Sequence, residues 1–510
     1  MSESWDSAAS SDGDGLSRAV KRGVAWSAAE RAGIQFINIG SSIALARLLS
    51  PADFGVLGMS RVFTALSTRL LHVGFGSALI RQPQIRDDHL STLFVLSLLL
   101  NSFACVSLIA LSPFASRYFD NQQVGAVLRW MSLVFILRAF GAVPYSLLRR
   151  RMDFRATAVS NAVDAIVRTL TAVTLGFLGY GVWALVAGEL GGSFAARVYL
   201  AYRVRWRPSL RVTRSATKDL FTFGAGMSVS ATVSYAAENV DNFMVGKFLG
   251  MGSLGFYEKS FNLMTLPAAE IAGRLRGVLF PAFARIQHDT GRFRAAFRKS
   301  ALTVSLVSYP VFVTLAVLGL PLMTLMYGPR WVPAALPFQV LCVCGPFRVL
   351  TSISSSAINA AGSVMPEARR RAAVLAMLGP AVWIGLHWGL VGVAAAVATC
   401  TIVGFFLVSF NLRRICNVRF TDLVVPQRAA FLAAAAMGAA EYLMLQWARS
   451  HHLPDAVVVV TVTCLGGIVY ALVLAVIADV ATRRLFWELV DDATPLLRRV
   501  PWLGNRLART

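Results

Sequence analysis

Long apolar stretches alternate with short polar breaks along almost the whole chain. A helix needs about 20 mostly apolar residues to cross the hydrocarbon core of a bilayer. Fourteen segments have this character: 24–46, 54–79, 89–111, 124–147, 154–176, 181–202, 220–245, 254–283, 301–320, 332–358, 372–388, 389–411, 429–447 and 457–479. The pattern predicts an all-α integral membrane protein with about 14 transmembrane helices. Two of the breaks between predicted spans, at 179–181 and 388–389, are inferred from glycine and not from charged residues.

The composition agrees with a membrane protein. Of 510 residues, 56% are hydrophobic and 15% are charged, which is too little polar surface for a soluble globule of this size. The six cysteines show neither a CxxC pair nor a Cys/His ligand spacing, so we expect buried thiols and no metal site. Residues 1–17 are rich in Ser, Asp and Gly, which predicts a disordered N-terminus, and they carry no signal-peptide pattern.

Basic residues gather at every second break, as at 149–155, which holds four arginines. Counted over alternate breaks and the two termini, 33 Lys and Arg lie on one side and five on the other. By the positive-inside rule, this asymmetry predicts that both termini are cytoplasmic. The formal charge of +23 therefore indicates membrane orientation and not nucleic-acid binding. The basic amphipathic tail 480–510 is expected to lie on anionic lipid.

Eleven basic residues remain inside the predicted spans, and each costs on the order of 2.5 to 3.5 kcal/mol at the centre of a membrane helix. They are Arg31, Arg61, Arg69, Arg129, Arg138, Arg168, Arg197, Lys259, Arg274, Arg276 and Arg348. The acidic residues in the spans are Glu30, Asp164, Glu189, Glu238, Asp241, Glu258, Glu270 and Glu441. The excess of cations predicts a water-filled cavity whose guest is an anion.

Some of these charges have a structural explanation. In two acid–base pairs with i, i+4 spacing, the two side chains can neutralise each other on one helix. Three arginines lie near span ends, where an arginine can extend to the membrane surface and anchor the helix. These residues are Asp164 with Arg168, Glu270 with Arg274, and the single residues Arg129, Arg197 and Arg276.

The other charges form the candidate site. Candidate ligands for a phosphate or an anionic sugar are Arg31, Arg61, Arg69, Arg138 and Lys259. Candidates for ion coupling or gating, with H⁺ or Na⁺ as the ion and no other cofactor, are Glu30, Glu238, Asp241 and Glu270. Glu30, Arg31 and Arg69 reach similar depths at 1.5 Å per residue and could share one pocket. Asp241 and Lys259 could meet across adjacent helices as a gate, a cargo contact or a static salt bridge.

The chain also repeats itself, because segment 46–55 aligns with segment 246–255 at an offset of 200 residues. Six spans separate the copies, so the repeats are parallel and predict two six-helix lobes related by a pseudo-two-fold axis along the membrane normal. Such symmetry is typical of transporters that work by alternating access. The predicted parts are the N-terminus 1–17, an N-lobe 18–203, a basic cytoplasmic linker 204–219, a C-lobe 220–411, two additional helices within 412–479 and the tail 480–510.

An ordered set of motifs runs through residues 18 to 415. It comprises LARLLSPADFGVLGM, GFGSALI, MDFRATAVSNA, GYGVWALVAGEL, VDNFMVGKFLGMGSLGFYEKS and LFPAFARIQ. Together these motifs resemble the Wzx/WzxC-type polysaccharide flippases of the MOP (MATE-like) superfamily. The resemblance implies translocation of undecaprenyl-diphosphate-linked oligosaccharide units across the bacterial inner membrane for exopolysaccharide, capsule, O-antigen or lipopolysaccharide synthesis. It also implies a polymerase and other assembly proteins as partners.

Other classes fit the sequence less well. A lipid II flippase shares the lipid-diphosphate chemistry and a fourteen-helix plan, but the motifs above favour the Wzx type. A MATE-like drug or cation antiporter would favour an acidic cavity. A polysaccharide polymerase or ligase would carry a large outer loop with catalytic Arg or His, and the longest outer loops here have about a dozen residues. A membrane glycosyltransferase would need an acidic metal motif, and the only D-x-D, at 12–14, lies in the polar N-terminus. No Walker motif occurs, which argues against an ATP-driven pump. We therefore expect a transporter and not an enzyme.

Overall fold

The computed structural model describes residues 13–70, 79, 85–213, 235, 238–480 and 482–489, and this part of the chain is helical without a strand. Helices α1 to α8 are Gly13–Leu48, Pro51–Leu70, Asp87–Tyr118, Gln122–Arg150, Phe154–Phe177, Val182–Val204, Val240–Phe248 and Gly250–Arg285. Helices α9 to α16 are Thr290–Val317, Gly319–Tyr327, Ala335–Ala360, Val364–Gly385, Gly389–Cys416, Phe420–Val424, Arg428–Ser450 and Asp455–Ile477. Residues 482–489 form a last short helix.

Eight helical stretches within the described residues are long and apolar enough to cross a membrane. One of them, Met365–Cys416, contains two of the predicted spans. The all-α, multi-pass membrane class is therefore confirmed. The count of fourteen spans stays a prediction, because span 220–245 and the end of span 54–79 lie largely outside the described residues.

Within the described residues, the long helices α1, α2, α6 and α8 do not meet this apolar criterion, and the description of α2 stops at Leu70, inside the predicted span 54–79. Each of them carries charges that the sequence assigns to spans, such as Arg31, Arg61, Glu189 and Lys259. A membrane helix that faces water or charged partners can carry polar residues that a lipid-facing helix cannot. The charged residues of such helices are therefore candidates for contacts with water or with charged partners.

The two breaks predicted from glycine are confirmed. Gly179 and Gly181 adopt φ values of 80° and 54°, and Gly389 adopts a φ value of 65°. Only glycine adopts such values without strain. Gly179 and Gly181 lie between α5 and α6, and Gly389 begins α13 after a 3-10 turn at Leu386–Trp388.

The surface has the character of a protein in lipid. Large apolar side chains such as Phe103, Leu170 and Leu472 are exposed on the long helices. Several buried small polar side chains are satisfied within their own helix, as where Ser60 Oγ donates to the Val56 carbonyl at 3.0 Å. An apolar exterior with internally satisfied polar groups is what a bilayer requires.

The chain divides into two compact units, residues 1–258 and 259–510. In the first unit, α3 packs on α4, α5 packs on α6, and α1 packs on α5. In the second unit, α13 packs on α11 and α12, α15 packs on α16, and α9 packs on α11 and α15. The two lobes predicted from the sequence, 18–203 and 220–411, stay a prediction.

Within the first unit, α2 crosses the start of α8 at two glycines. A Cβ on Gly55 would overlap the carbonyl oxygen of Met251, and a Cβ on Gly255 would overlap that of Pro51. These four residues are equivalent in the sequence repeat, because each pair is offset by 200 residues. The contact is thus reciprocal, as a two-fold axis between the two helices would make it. Backbones can approach this closely only where both helices have glycine at the crossing.

The start of α2 is held by its own sequence. Asp53 accepts hydrogen bonds from the Ser50 backbone nitrogen at 2.9 Å and from Ser50 Oγ at 2.7 Å. Ser50 Oγ accepts in return from the Asp53 backbone nitrogen at 3.3 Å. Pro51 occupies the first helical position, where its missing N–H is not needed. The Ser-Pro-Ala-Asp segment is therefore a helix cap that places Gly55 and Arg61 one and three turns into α2.

Candidate functional site

Two glycines in α6 bring this helix against the charged face of α5. A Cβ on Gly188 would lie 2.8 Å from the Arg168 carbonyl oxygen, and a Cβ on Gly192 would lie 2.6 Å from the Asp164 carbonyl oxygen. Small residues four apart allow such close helix packing in membranes. Glu189 lies directly after the first glycine, so the packing holds its carboxylate beside the charges of α5.

Arg61 of α2 forms an ion pair with Glu189 of α6, between Nη2 and Oε1. About half of the Arg61 side-chain surface, 51%, is accessible. The side chain is therefore not packed into a closed core. A second carboxylate, that of Glu258, acts on Arg61 electrostatically and occupies the volume that a side chain at Gly58 would fill.

Arg138 of α4 lies in the same group of charges. Its Nη1 donates to Thr68 Oγ1 at 3.0 Å. Glu189 and Asp164 are the acidic residues that act on it electrostatically. Arg138 thus has a neutral hydrogen-bond partner and two nearby carboxylates, and some of its donors stay available for a ligand.

The predicted pair of Asp164 and Arg168 is confirmed, with 3.9 Å between Oδ2 and Nη2. Arg168 also donates from Nη2 to Asn38 Oδ1 at 3.2 Å, which joins α5 to α1. Asp164 therefore has a partner on its own helix and is not a lone membrane carboxylate.

Arg197 does not fit the anchoring role that the sequence favours. Its Nε is buried without a hydrogen-bond partner among the described residues. The side chain lies over Gly141, where a Cβ would be 2.6 Å from Arg197 Cδ. Asp164 and Arg138 are its charged neighbours. Gly141 leaves room for the guanidinium to reach inward, and the sequence position of Arg197 near a span end gave no sign of this.

These side chains form one group, which we call the arginine–carboxylate cluster: Arg61, Arg138, Asp164, Arg168, Glu189 and Arg197. Even when Glu258 is added, four guanidinium groups face three carboxylates. The cluster keeps a positive excess next to accessible space. An anion that enters this space would balance the excess, and guanidinium groups are well shaped to bind phosphate oxygens.

Arg69, Glu30 and Arg31 are placed by other contacts. The Arg69 guanidinium lies over the Tyr235 ring at 4.2 Å, which is a cation–π geometry. Glu30 Oε1 accepts from Asn161 Nδ2 at 2.6 Å, which joins α1 to α5. Arg31 is exposed on α1. A pocket shared by the three charged residues stays a prediction.

Asp241 and Lys259 also have neighbours. Asp241 is buried, and its Oδ2 accepts from the Tyr257 hydroxyl at 2.7 Å. The Lys259 ammonium lies 5.2 Å from the Tyr327 ring centre and 5.9 Å from that of Trp331. Both residues are thus positioned by aromatic side chains. A gating contact between Asp241 and Lys259 stays a prediction.

The last two gating candidates, Glu238 and Glu270, are exposed. Phe243, one of the aromatic residues near the second repeat motif, packs edge-on against Phe63 and stacks on Phe119. These contacts make Phe243 part of an apolar packing group.

Sequence reasoning missed Glu189 and Glu258 as parts of the site. The reason is distance along the chain, because Glu189 follows its partner Arg61 by 128 residues and no i, i+4 rule connects them. A local signal was present for Glu189, which stands in the segment Gly-Glu-Leu-Gly-Gly. A charge flanked by small residues within a span marks a place where helix backbones approach and the charge faces a neighbouring helix.

The close packing of α5 and α6 gives a first testable expectation. Gly192→Ala would place a methyl group 2.6 Å from the Asp164 carbonyl oxygen, so the helices must separate. We expect a loss of about 1–3 kcal/mol in unfolding free energy and reduced transport, because Glu189 moves with α6. Gly191→Ala is the matched control, since its nearest neighbour would be Thr171 Oγ1 at 3.5 Å. Equal thermal melting curves for the two variants in detergent would contradict the expectation.

A family model described as polysaccharide biosynthesis protein matches residues 44–336. The teichuronic acid biosynthesis protein TuaB of Bacillus subtilis is 24% identical over 432 residues, which cover 83% of this chain and 88% of TuaB. The lipopolysaccharide biosynthesis protein WzxC of Escherichia coli is 27% identical over 335 residues, which cover 64% of this chain and 67% of WzxC.

Two solved transporter structures share the fold. The lipid II flippase MurJ in an inward closed conformation has a TM-score of 0.68 at 16% identity, covering 89% of this chain and 98% of MurJ. An inward-facing multidrug resistance MATE family transporter of the MOP superfamily has a TM-score of 0.61 at 15% identity, covering 75% of this chain and 94% of that chain. The matched family model spans more than half of the sequence and agrees with the motif resemblance. The chain belongs to the polysaccharide biosynthesis protein family.

Proposed function

We propose that this protein is a flippase that moves undecaprenyl-diphosphate-linked oligosaccharide units across the bacterial inner membrane. The observation that carries the proposal is the arginine–carboxylate cluster, whose positive excess borders accessible space within predicted spans. Fixed cations at this depth are costly unless an anion balances them. A lipid diphosphate supplies that anion. The names of the relatives support the substrate class, since they include a succinoglycan biosynthesis transport protein and a putative O-antigen transporter.

In this proposal, Arg61 exchanges its partners during transport. Without cargo it pairs with Glu189, and Arg138 is held by Thr68. An entering diphosphate displaces the Glu189 carboxylate and binds Arg61 and Arg138. The guanidinium of Arg61 is paired before, during and after transport, so the large cost of an unpaired buried charge never arises. Glu189 also helps release the cargo, because it competes for the same guanidinium.

Arg31, Arg69 and Lys259 are proposed as further contacts for phosphate or anionic sugars along an alternating-access path. Energy would come from H⁺ or Na⁺ moving down its gradient, with Glu30, Glu238, Asp241 and Glu270 as the candidate ion-binding carboxylates. Export that stops when the proton gradient alone is collapsed would select H⁺. Export that stops only without Na⁺ would select Na⁺.

We further propose that both termini are cytoplasmic and that a polymerase receives the flipped units. The charge asymmetry of the breaks supports this orientation. A single cysteine at Arg207, three residues after α6 ends on the side predicted to be cytoplasmic, should resist a membrane-impermeant thiol reagent in intact cells and react after permeabilisation. Labelling in intact cells would contradict the orientation.

Deletion of the gene in its own host tests the function. We expect lipid-linked oligosaccharide units to accumulate with their sugars on the cytoplasmic leaflet, while the surface polymer disappears and cell-wall synthesis continues. Normal polymer would contradict the proposal. Arrest of cell-wall synthesis would instead indicate a lipid II flippase.

A further inference from the structure

A cavity of about 820 Å³ lies in the second unit, far along the chain from the arginine–carboxylate cluster. Four structural elements enclose it: the start of α9, the α14–α15 junction, the end of α16 and the helix 482–489. Four basic side chains line it, namely Arg298, Lys299, Arg428 and Arg484. Nothing in the proposed transport path uses this cavity.

Two of the four basic residues are already paired, and two are not. Arg484 pairs with Glu488 at 3.1 Å, and Arg298 lies 3.9 Å from Asp422. Lys299 and Arg428 are exposed and form no ion pair within 4 Å among the residues that the structure describes. These two side chains leave the cavity with positive charge available for a ligand.

The acidic lining residue Asp479 does not cancel this charge in full. Its Oδ1 accepts from the Thr482 backbone nitrogen at 3.2 Å, which caps the helix 482–489. It acts on Arg428 only as a longer-range electrostatic neighbour. Asp479 therefore serves mainly to hold the last helix at the rim of the cavity.

The walls are fixed in place by hydrogen bonds that do not involve Lys299 or Arg428. Arg294 of α9 binds Asp422 of α14 through two hydrogen bonds, of 2.5 Å and 2.7 Å. The Tyr309 hydroxyl donates to Gln427 Oε1 at 2.7 Å, just before α15 begins. The cavity is therefore preformed, and a ligand would not have to order it.

Part of the remaining wall is apolar. Leu302, Ala429, Ile477 and Leu485 line the cavity beside the basic residues. The helix ends that meet here carry basic clusters which the charge count predicts to be cytoplasmic. A ligand that matches this arrangement has a negative head at the membrane surface and hydrocarbon chains that run towards the membrane interior.

We propose that this cavity binds one anionic phospholipid of the cytoplasmic leaflet. Its phosphate lies between Lys299 and Arg428, and its acyl chains lie against Leu302, Ala429 and Leu485. A zwitterionic lipid would bring its own cation to a basic rim, and a free phosphate would leave the apolar wall in water. The bound lipid fixes the helix 482–489 to the bundle, and this role is independent of the proposed cargo.

Native mass spectrometry of the purified full-length protein tests this inference, with phosphatidylglycerol and phosphatidylcholine titrated separately. We expect one phosphatidylglycerol to bind more tightly than phosphatidylcholine. Lys299→Gln with Arg428→Gln should weaken phosphatidylglycerol binding by about thirtyfold, since each basic residue near anionic lipid contributes on the order of fivefold. The matched control is Arg413→Gln with Arg414→Gln, which removes the same charge from exposed positions outside the cavity and should bind as the wild type does.

Three results would overturn the inference: equal binding of the two lipids, an equal loss in the control variant, or displacement of the lipid by millimolar inorganic phosphate. The last result would indicate a simple phosphate site. Melting curves recorded without added lipid show whether the cavity variant is folded. A variant that melts like the wild type without lipid but gains no stability from phosphatidylglycerol supports the inference.

Discussion

Arg61→Gln is expected to abolish polymer export, to below about 1% of the wild-type amount, while the protein inserts at its normal level. The substitution removes a guanidinium that borders accessible space and leaves the Glu189 carboxylate without its partner. The Glu189 carboxylate then keeps only its longer-range attraction to Arg168 and Arg138, and it repels a diphosphate where Arg61 would have bound one. Polymer yield per inserted protein in a deletion host measures the effect.

A double variant separates binding of cargo from structural support. Arg61→Gln combined with Glu189→Gln removes both charges, so no carboxylate is left unpaired and stability should return. If Arg61 binds the diphosphate, export stays absent in this double variant. Arg61→Lys should retain partial export, because lysine keeps the charge but lacks the planar fork of donors. Wild-type export by the double variant would show that the pair is only structural.

Gly55→Ala and Gly255→Ala are each expected to reduce folded protein and transport severely. A methyl group at either position would overlap a backbone carbonyl of the other helix, which cannot move as a flexible side chain does. Alanine is favoured over glycine by about 1 kcal/mol within a helix, so any loss of stability comes from the crossing and not from helix propensity. Because the contact is reciprocal, the two variants should behave alike. Yield and melting temperature in detergent measure the effect.

Gly252→Ala is the matched control for this crossing. It lies in the same turn of α8 as Gly255, and a Cβ there would meet nothing within 4 Å. It should therefore melt and transport as the wild type does. A Gly55→Ala variant as stable as Gly252→Ala would contradict the close crossing of α2 and α8.

Features that depend on local geometry could be predicted from the sequence. The breaks at Gly181 and Gly389 were predictable because the chain needs positive φ values there, which favour glycine. The pair of Asp164 and Arg168 was predictable because residues four apart lie on one helix face. The aligned repeat marked Gly55 as a special position. The contact between Gly55 and α8 depends on how α2 and α8 pack, and an alignment of the two repeats does not give this packing.

The partners of the candidate arginines could not be predicted in the same way. Glu189 reaches Arg61 because α6 packs on α2, and this contact joins residues that are 128 positions apart in the sequence. Arg197 was expected at the membrane surface, yet Gly141 gives it space to reach inward. Carboxylates therefore pair with much of the positive charge that the sequence assigned to the cavity. The excess of positive charge that remains near Arg61 and Arg138 is smaller than the sequence alone predicted.

Transport by the purified protein tests the central claim, that the cationic cluster carries a lipid diphosphate, most directly. Vesicles would hold the wild type, Arg61→Gln with Glu189→Gln, or no protein, together with a fluorescent undecaprenyl-diphosphate oligosaccharide and an imposed H⁺ or Na⁺ gradient. A quencher that cannot cross the membrane would report the fraction of oligosaccharide on each leaflet. We expect the wild type to move the lipid to the opposite leaflet and the double variant to match empty vesicles. Equal movement by the wild type and the double variant, or by the wild type and empty vesicles, would contradict the claim.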